Sequence, residues 1–245
     1  MKKVTLIVVW VLAAVVVAYV LGVAVWSAKR LNSHPCQALE ITITDVDERQ
    51  YVTEAEIISL LKSKHLYPVG QSAALVPVQQ MEDEVIAHPM VRDAECYVLS
   101  SGTVCVRLSQ RVPVMRVLTG TDSYFVDSDR KRMPIRESVT TPVLLAEGNI
   151  GERMACNELA DLAVWLQESD YWRGRIRNIH VTGPKYVYLV QEPDGTKLIL
   201  GEVGGYVRKM RKLQKLYENV FDQIGWQTYD EIDLRFNGQV VGRKG

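Results

Sequence analysis

Apolar positions along the chain follow three rhythms. The first is an unbroken run, Val4–Trp26, in which VTLIVVWVLAAVVVAYVLGVAVW carries no charge. As a helix it would span about 35 Å, enough for a hydrocarbon core of about 30 Å with some tilt. A cleaved signal peptide is the rival reading, but its apolar core is normally roughly 7–15 residues. Gly22-Val23-Ala24 would serve only as a weak cleavage site, so the length favours a retained anchor. The expected layout is a tail at 1–3, a transmembrane helix at 4–26 and a juxtamembrane linker at 27–38, SAKRLNSHPCQA. The amino terminus, Lys2 and Lys3 slightly outweigh Lys29 and Arg30, a narrow bias toward an amino end inside.

The second rhythm mixes periods of 2 and 3.6. Leu39–Val46 alternates, with Leu39, Ile41 and Ile43 on one face, and reads as a strand. Thr53-Glu54-Ala55-Glu56 is a capping box opening a helix that buries Ile57, Leu60 and Leu61. Pro77 suits the start of a second helix, with Val78, Met81, Val85 and Ile86 as its stripe, and His88-Pro89 ends it. Strands Val91–Leu99 and Thr103–Ser109 follow, joined by Ser100-Ser101-Gly102. The order β-α-α-β-β predicts a small two-layer domain over 39–110.

From residue 111 short strands dominate: Val112–Leu118, Tyr124–Val126, Lys131–Pro134 and Val143–Leu145. Met154–Glu168 is an amphipathic helix with Ala155, Leu159, Leu162, Ala163 and Leu166 on one side. Tyr186–Val190 and Lys197–Leu200 flank a Pro193-Asp194-Gly195 turn, and both arms are apolar on both faces, which predicts that both are covered on both faces. A further helix at about 205–224 aligns Tyr206, Met210, Leu213, Tyr217, Val220 and Ile224. Asp230–Phe236 then alternates strictly, predicting Ile232, Leu234 and Phe236 inward and Glu231, Asp233 and Arg235 outward. The fold class is α+β: one membrane helix, a β-α-α-β-β domain, and a β-rich domain with packed helices over 111–245.

Lys+Arg and Asp+Glu balance at 29 each, so no global field attracts nucleic acid. Cys36, Cys96, Cys105 and Cys156 form neither a CxxC motif nor a dense disulfide scaffold. Strand parity places Cys96 toward the core and Cys105 on the opposite face, which argues against a bridge between them. His34, His65, His88 and His180 are scattered. Asp127 and Asp129, near Asp122, read as a turn whose carboxylates cap amides rather than as a cation site. Gly201-Glu202-Val203-Gly204-Gly205 reads as a strand-to-helix connection rather than a phosphate loop. Arg208, Lys209, Arg211, Lys212 and Lys215 read as a solvated helix face that could still meet an acidic partner. These patterns lead to no enzyme, no cofactor, no metal and no small-molecule substrate.

The end of the chain leaves two readings open. Asn237-Gly238 could turn a hairpin that lays residues 239–242 beside 230–236. Alternatively the terminal strand is an open sheet edge, whose unpaired backbone groups could accept a partner strand.

Several segments together resemble one family. His88-Pro89-Met90-Val91 before the 94–108 hairpin is similar to its P-W-V entry. Gln110-Arg111-Val112-Pro113-Val114 is similar to its E-R-x-P-[VI] junction. Tyr124-Phe125-Val126-Asp127 with Met133-Pro134 is similar to its Y-x-V-D segment, and Tyr229 with Ile232-Asp233-Leu234-Arg235-Phe236 to its I-D-L-R-[YF] strand. On these residues the chain resembles the bacterial FtsQ/DivIB family: an anchor, a POTRA domain and a β domain. The resemblance implies a non-enzymatic divisome scaffold at the septum, in the cytoplasmic (inner) membrane with its amino end in the cytoplasm. It implies binding of FtsB and FtsL outside the cytoplasm, linking septal-ring components to the septal peptidoglycan synthase. It also implies FtsB strand addition at Arg235, Phe236, Asn237, Gly238, Gln239 and Val240. A POTRA-type polypeptide-binding module for export or outer-membrane assembly is the alternative.

Overall fold

The computed structural model describes residues 12, 15–24, 35–45, 49–136, 141–221 and 229–244. Within the amino-terminal apolar run, Leu12 and residues 15–24 are helical, and side chains such as Leu12 and Tyr19 are exposed. Among the described residues no helix is long and apolar enough to cross a membrane. The 1–3 tail, both ends of the 4–26 run, most of the 27–38 linker, Val46 and Ile224 lie outside the described residues.

Beyond this run the chain forms two compact units that meet in sequence at Gln110 and Arg111. The first contains β1 (Ala38–Ile43), α1 (Glu54–Ser63), α2 (Val78–Ile86), β2 (Val91–Val98) and β3 (Thr103–Gln110), with sheet order β1-β3-β2. β1 runs parallel to β3, and β2 antiparallel to it. Thr53 caps α1 as its sequence predicts: its hydroxyl accepts the Glu56 N–H at 3.3 Å, and the Glu56 carboxylate accepts the Thr53 N–H at 2.9 Å. Two orphan donors of the helix end are thereby satisfied. Pro77 stands at the N-cap of α2, one position before the helix proper.

Ile57, Leu61, Met81 and Val85 from the helices are buried, as are Val104, Val106 and Leu108 of the central strand. The α2 stripe is narrower than its periodicity predicts, because Ile86 is exposed; Val98, expected inward, is exposed as well. Register places Val106 opposite Cys96 and Tyr97 opposite Cys105, and all four cysteines are free thiols. Cys105 is buried on its own face of the sheet. Burial, then the carboxylates of Glu82 and Glu95, push the Cys96 thiol up to about 12, so it stays protonated at neutral pH.

Gln110 and Arg111 are adjacent in sequence and serve different units. The Gln110 side chain accepts the Tyr51 N–H at 2.8 Å and donates to the carbonyls of Asp45 and Arg49 at 3.1 and 2.8 Å. Arg111 instead pairs at 2.7 Å with buried Asp127, whose other oxygen accepts the Lys131 N–H at 2.7 Å. Asp127 is therefore a turn-capping carboxylate held by an arginine.

Among the described residues the second unit holds one sheet of nine strands. Its strands are β4 (Pro113–Leu118), β5 (Ser123–Asp127), β6 (Arg132–Met133), β7 (Leu144–Gly148), β8 (Ile176–Gly183), β9 (Tyr186–Gln191), β10 (Lys197–Gly201), β11 (Glu231–Asp233) and β12 (Val241–Arg243). Their spatial order is β12-β11-β10-β9-β8-β7-β4-β5-β6. Helical segments α3 (Glu152–Met154), a π turn (Ala155–Leu159) and α4 (Ala160–Glu168) pack Ala155, Leu159, Leu162, Ala163 and Leu166 into the core, as their spacing predicts. α5 (Tyr206–Leu216) buries Met210 and Leu213, and a π turn (Tyr217–Phe221) continues it with Tyr217 buried.

Three features of this unit depart from the sequence reading. β8 lies near the middle of the sheet, yet no pattern announced it. A bulge between Ile176 and Asn178 spaces buried Ile176, Ile179 and Val181 by three and then two, which breaks the period of two. β9 is covered mainly on one face, with Val187 and Leu189 buried but Tyr186 exposed. The terminal strand is short: β11 ends at Asp233, Asp233 is buried, and Phe236 is exposed rather than inward.

A candidate partner-binding edge

β11 lies parallel to β10, pairing Leu198 with Ile232 and Ile199 with Asp233. β12 returns antiparallel to β11, pairing Glu231 with Arg243, Ile232 with Gly242 and Asp233 with Val241. β12 closes the sheet order, so its outer row of N–H and C=O groups faces no strand among the described residues. Both readings of the chain end are thus partly realised: the chain folds back, and an open edge remains. That edge belongs to Val241–Arg243, while Arg235–Val240 form the connection between the two strands.

This connection is held by polar contacts. Asp233 is 1% exposed, and its carboxylate accepts the Arg235 backbone N–H at 3.0 Å, Nε at 3.0 and 3.1 Å, and Nη2 at 2.6 Å. Burial alone would raise the Asp233 carboxyl, but these hydrogen bonds outweigh it and hold the group below the usual carboxylate range. The pairing turns the chain at residues 234–235 and ends the alternation. The aliphatic stem of Arg235 crosses Gly201, where a Cβ would meet its Cγ at 2.8 Å; Gly201 also has φ +72°, so glycine is required twice over. Gly242 is required by proximity, because an added Cβ would lie 2.6 Å from the Tyr229 ring.

α5 supplies the rest of the hold. Lys212 Nζ donates to the carbonyls of Phe236 and Gln239, both at 2.8 Å, and Arg208 Nη2 donates to the Asn237 side chain at 3.2 Å. Lys209 Nζ donates to the Leu200 and Glu202 carbonyls at 2.8 and 2.7 Å. Burial, then the nearby Arg208, lowers the Lys212 ammonium below the usual lysine range, and burial chiefly lowers Lys209. Three members of the basic cluster are therefore clamps rather than a merely solvated face. Between α5 and the connection lies a cleft of about 130 Å³ lined by Arg208, Lys212, Leu234, Phe236 and Asn237 among others.

Each residue expected to meet a partner is thus located. Arg235, Phe236, Asn237, Gly238 and Gln239 are exposed, and Phe236 keeps 45% of its surface. Val240 is partly buried against the core, and Gly238 takes φ +81° in the bend. Sequence reasoning missed Val241, Gly242 and Arg243 as the edge itself, and Lys212 and Arg208 as the groups holding the connection. The available signal for the first three was the short apolar restart at Val240-Val241 after Asn237-Gly238. The clamping contacts leave no local signature, since Lys212 and its acceptors are 24 and 27 residues apart.

The fold defines a POTRA-like unit followed by a helix-backed mixed sheet whose candidate site is a strand edge. A POTRA-like domain model matches residues 34–109, and a model described as FtsQ/DivIB, C-terminal related matches residues 112–243. A cell division protein FtsQ from Salinibacter ruber (strain DSM 13855 / M31) is 25% identical over 213 residues, covering 80% of this chain and 82% of that relative. The chain belongs to the FtsQ/DivIB family.

Proposed function

We propose that this protein is a non-enzymatic scaffold of bacterial cell division, tethered to the cytoplasmic membrane by its 4–26 run with its two units outside the cytoplasm. In this reading it binds FtsB and FtsL and links septal-ring components to the septal peptidoglycan synthase. The observation that carries it is the family match across 112–243, which ends on the open edge of β12. An entering strand would gain affinity from β12 backbone groups, while exposed Phe236 and the cleft beside it would select its side chains. Arg235, Asn237, Gly238, Gln239 and Val240 then form the shoulder of the site rather than the paired strand.

The experiment is a pull-down of FtsB and FtsL with the full chain, with a variant truncated after Val240, and with Phe236→Ala. Truncation should abolish capture while leaving the thermal melt of the remainder cooperative. Phe236→Ala should weaken capture without abolishing it. Full capture by a folded truncated chain would remove the edge from the site. Capture of unfolded peptides in preference to FtsB would favour the polypeptide-handling alternative.

A further inference from the structure

One end of the first unit is unlike the rest of the molecule. β1 and β3 start side by side, with Ala38 paired to Thr103, and β2 finishes there, with Val98 paired to Val104. The loop before α2 closes the same end: Cys36 N–H donates to the Gln71 carbonyl at 2.7 Å, Gly70 N–H to the Cys36 carbonyl at 3.0 Å, and Gln37 N–H to the Gly102 carbonyl at 3.2 Å. Beyond the amino-terminal run, the exposed large apolar side chains among the described residues of this unit are Val69, Leu75, Ile86, Val98 and Leu99, and all but Ile86 sit at this end. Leu75 is 78% exposed. Single exposed leucines are ordinary, but several gathered at one end mark a contact surface.

Charge is missing from the same place. Residues 35–39, 66–81 and 96–106, the three stretches that build this end, contain no Asp, Glu, Lys or Arg, in a chain that is 24% charged. Beside the second of these stretches, the Lys62 ammonium lies 4.9 Å over the Tyr67 ring. An uncharged surface studded with Leu and Val and edged by a tyrosine and a lysine matches the layering of a bilayer interface. The flanking carboxylate of Glu82 accepts the Cys96 N–H at 2.9 Å, so Val69, Leu75, Val98 and Leu99 themselves would dock with little charge to desolvate. The chain also enters the unit here. Eight residues separate Trp26 from Pro35, a reach of at most about 30 Å, so a membrane-held run presents this end of the unit first. The tether also raises the effective concentration of the surface at the bilayer.

The geometry points to a lipid-docking surface formed by Val69, Leu75, Val98 and Leu99, which seats the POTRA-like unit on the bilayer beside its own anchor. This inference rests on the membrane-tether reading. The test places a nitroxide label at Leu75→Cys, Leu99→Cys and Ala87→Cys, the last exposed at the C-cap of α2, in the full chain carrying Cys156→Ser. Each protein is reconstituted in phosphatidylcholine–phosphatidylglycerol vesicles, and collision of the label with dissolved oxygen is compared with collision with an aqueous nickel chelate. Labels at 75 and 99 should favour oxygen severalfold more than the label at 87. An alkaline wash of the same vesicles scores the tether separately. A retained chain whose labels at 75 and 99 are as open to nickel as the label at 87 overturns the docking surface and spares the tether. Labels at 75 and 99 shielded from both agents place a protein there and overturn lipid docking. Release of the chain by the wash overturns both readings.

Discussion

Strands β8–β10 and the segment from β11 to β12 belong to one sheet, yet different forces hold them. In the centre, Ile179, Leu189, Leu198 and Leu200 are fully buried, and the helices cover them. At the end, β11 and β12 have three residues each, and the connection between them is fastened by Asp233, Arg235, Arg208 and Lys212. Dispersion and desolvation secure the centre without directional demands, whereas each polar clamp depends on a particular donor and acceptor. The consequence is a division of labour. On the proposed reading the outer side of β12 accepts another strand, while Ile232 and Leu234 of the same segment stay packed in the core.

The comparison breaks first at the centre. Leu189→Ala should cost the second unit about 2–5 kcal/mol, seen as a lower urea midpoint, because a fully buried leucine leaves a cavity. Asp233→Ala should cost less, about 1–3 kcal/mol, by leaving polar groups of the bend unsatisfied. Its effect should be local: hydrogen exchange should accelerate in residues 234–243 while the amides of β8 and β9 stay protected. Equal acceleration in both regions would end the distinction drawn between them.

Acid should reproduce that result reversibly. The Asp233 carboxyl is held below its ordinary value, so its contribution is complete above the unfolded carboxylate pKa of about 3.9 and is lost as pH falls through the folded value. Exchange in 234–243 should therefore rise below about pH 4 in the parent chain, with Asp233→Ala insensitive over that window. The smallest effect should come from Lys212→Met, which keeps the stem and removes the ammonium that bonds two carbonyls. A loss of about 1 kcal/mol, confined to the bend by exchange, would place this clamp below the Asp233–Arg235 pair.

Much of the architecture could be read from local pattern, and the exceptions are instructive. Thr53 and Glu56 announced a capping box because both partners lie within one turn. The stripe from Ala155 to Leu166 survives a π turn because every member still faces the core. β8 escaped notice because its bulge shifts the alternation, and an edge strand of three residues, Val241–Arg243, is too short to have a period. Asp233 alternates correctly with Ile232 and Leu234, yet it is buried because Arg235 folds back to pair with it. Leu75, by contrast, looks in sequence like any loop leucine, and only the register of β1, β2 and β3 gathers it with Val69 and Leu99 at one end.

By itself the sequence determined the locations of helices and turns, the faces that seek burial, and the family motifs spread from His88 to Phe236. These depend on neighbours within a few residues, where spacing and side-chain type are sufficient. The tertiary structure alone decided that β11 lies parallel to β10, that β12 is the outermost of the nine described strands, and that Lys212 of α5 holds a connection more than twenty residues away. Those outcomes follow from competition among distant strands and donors for the same backbone partners, and no local periodicity records which of them wins.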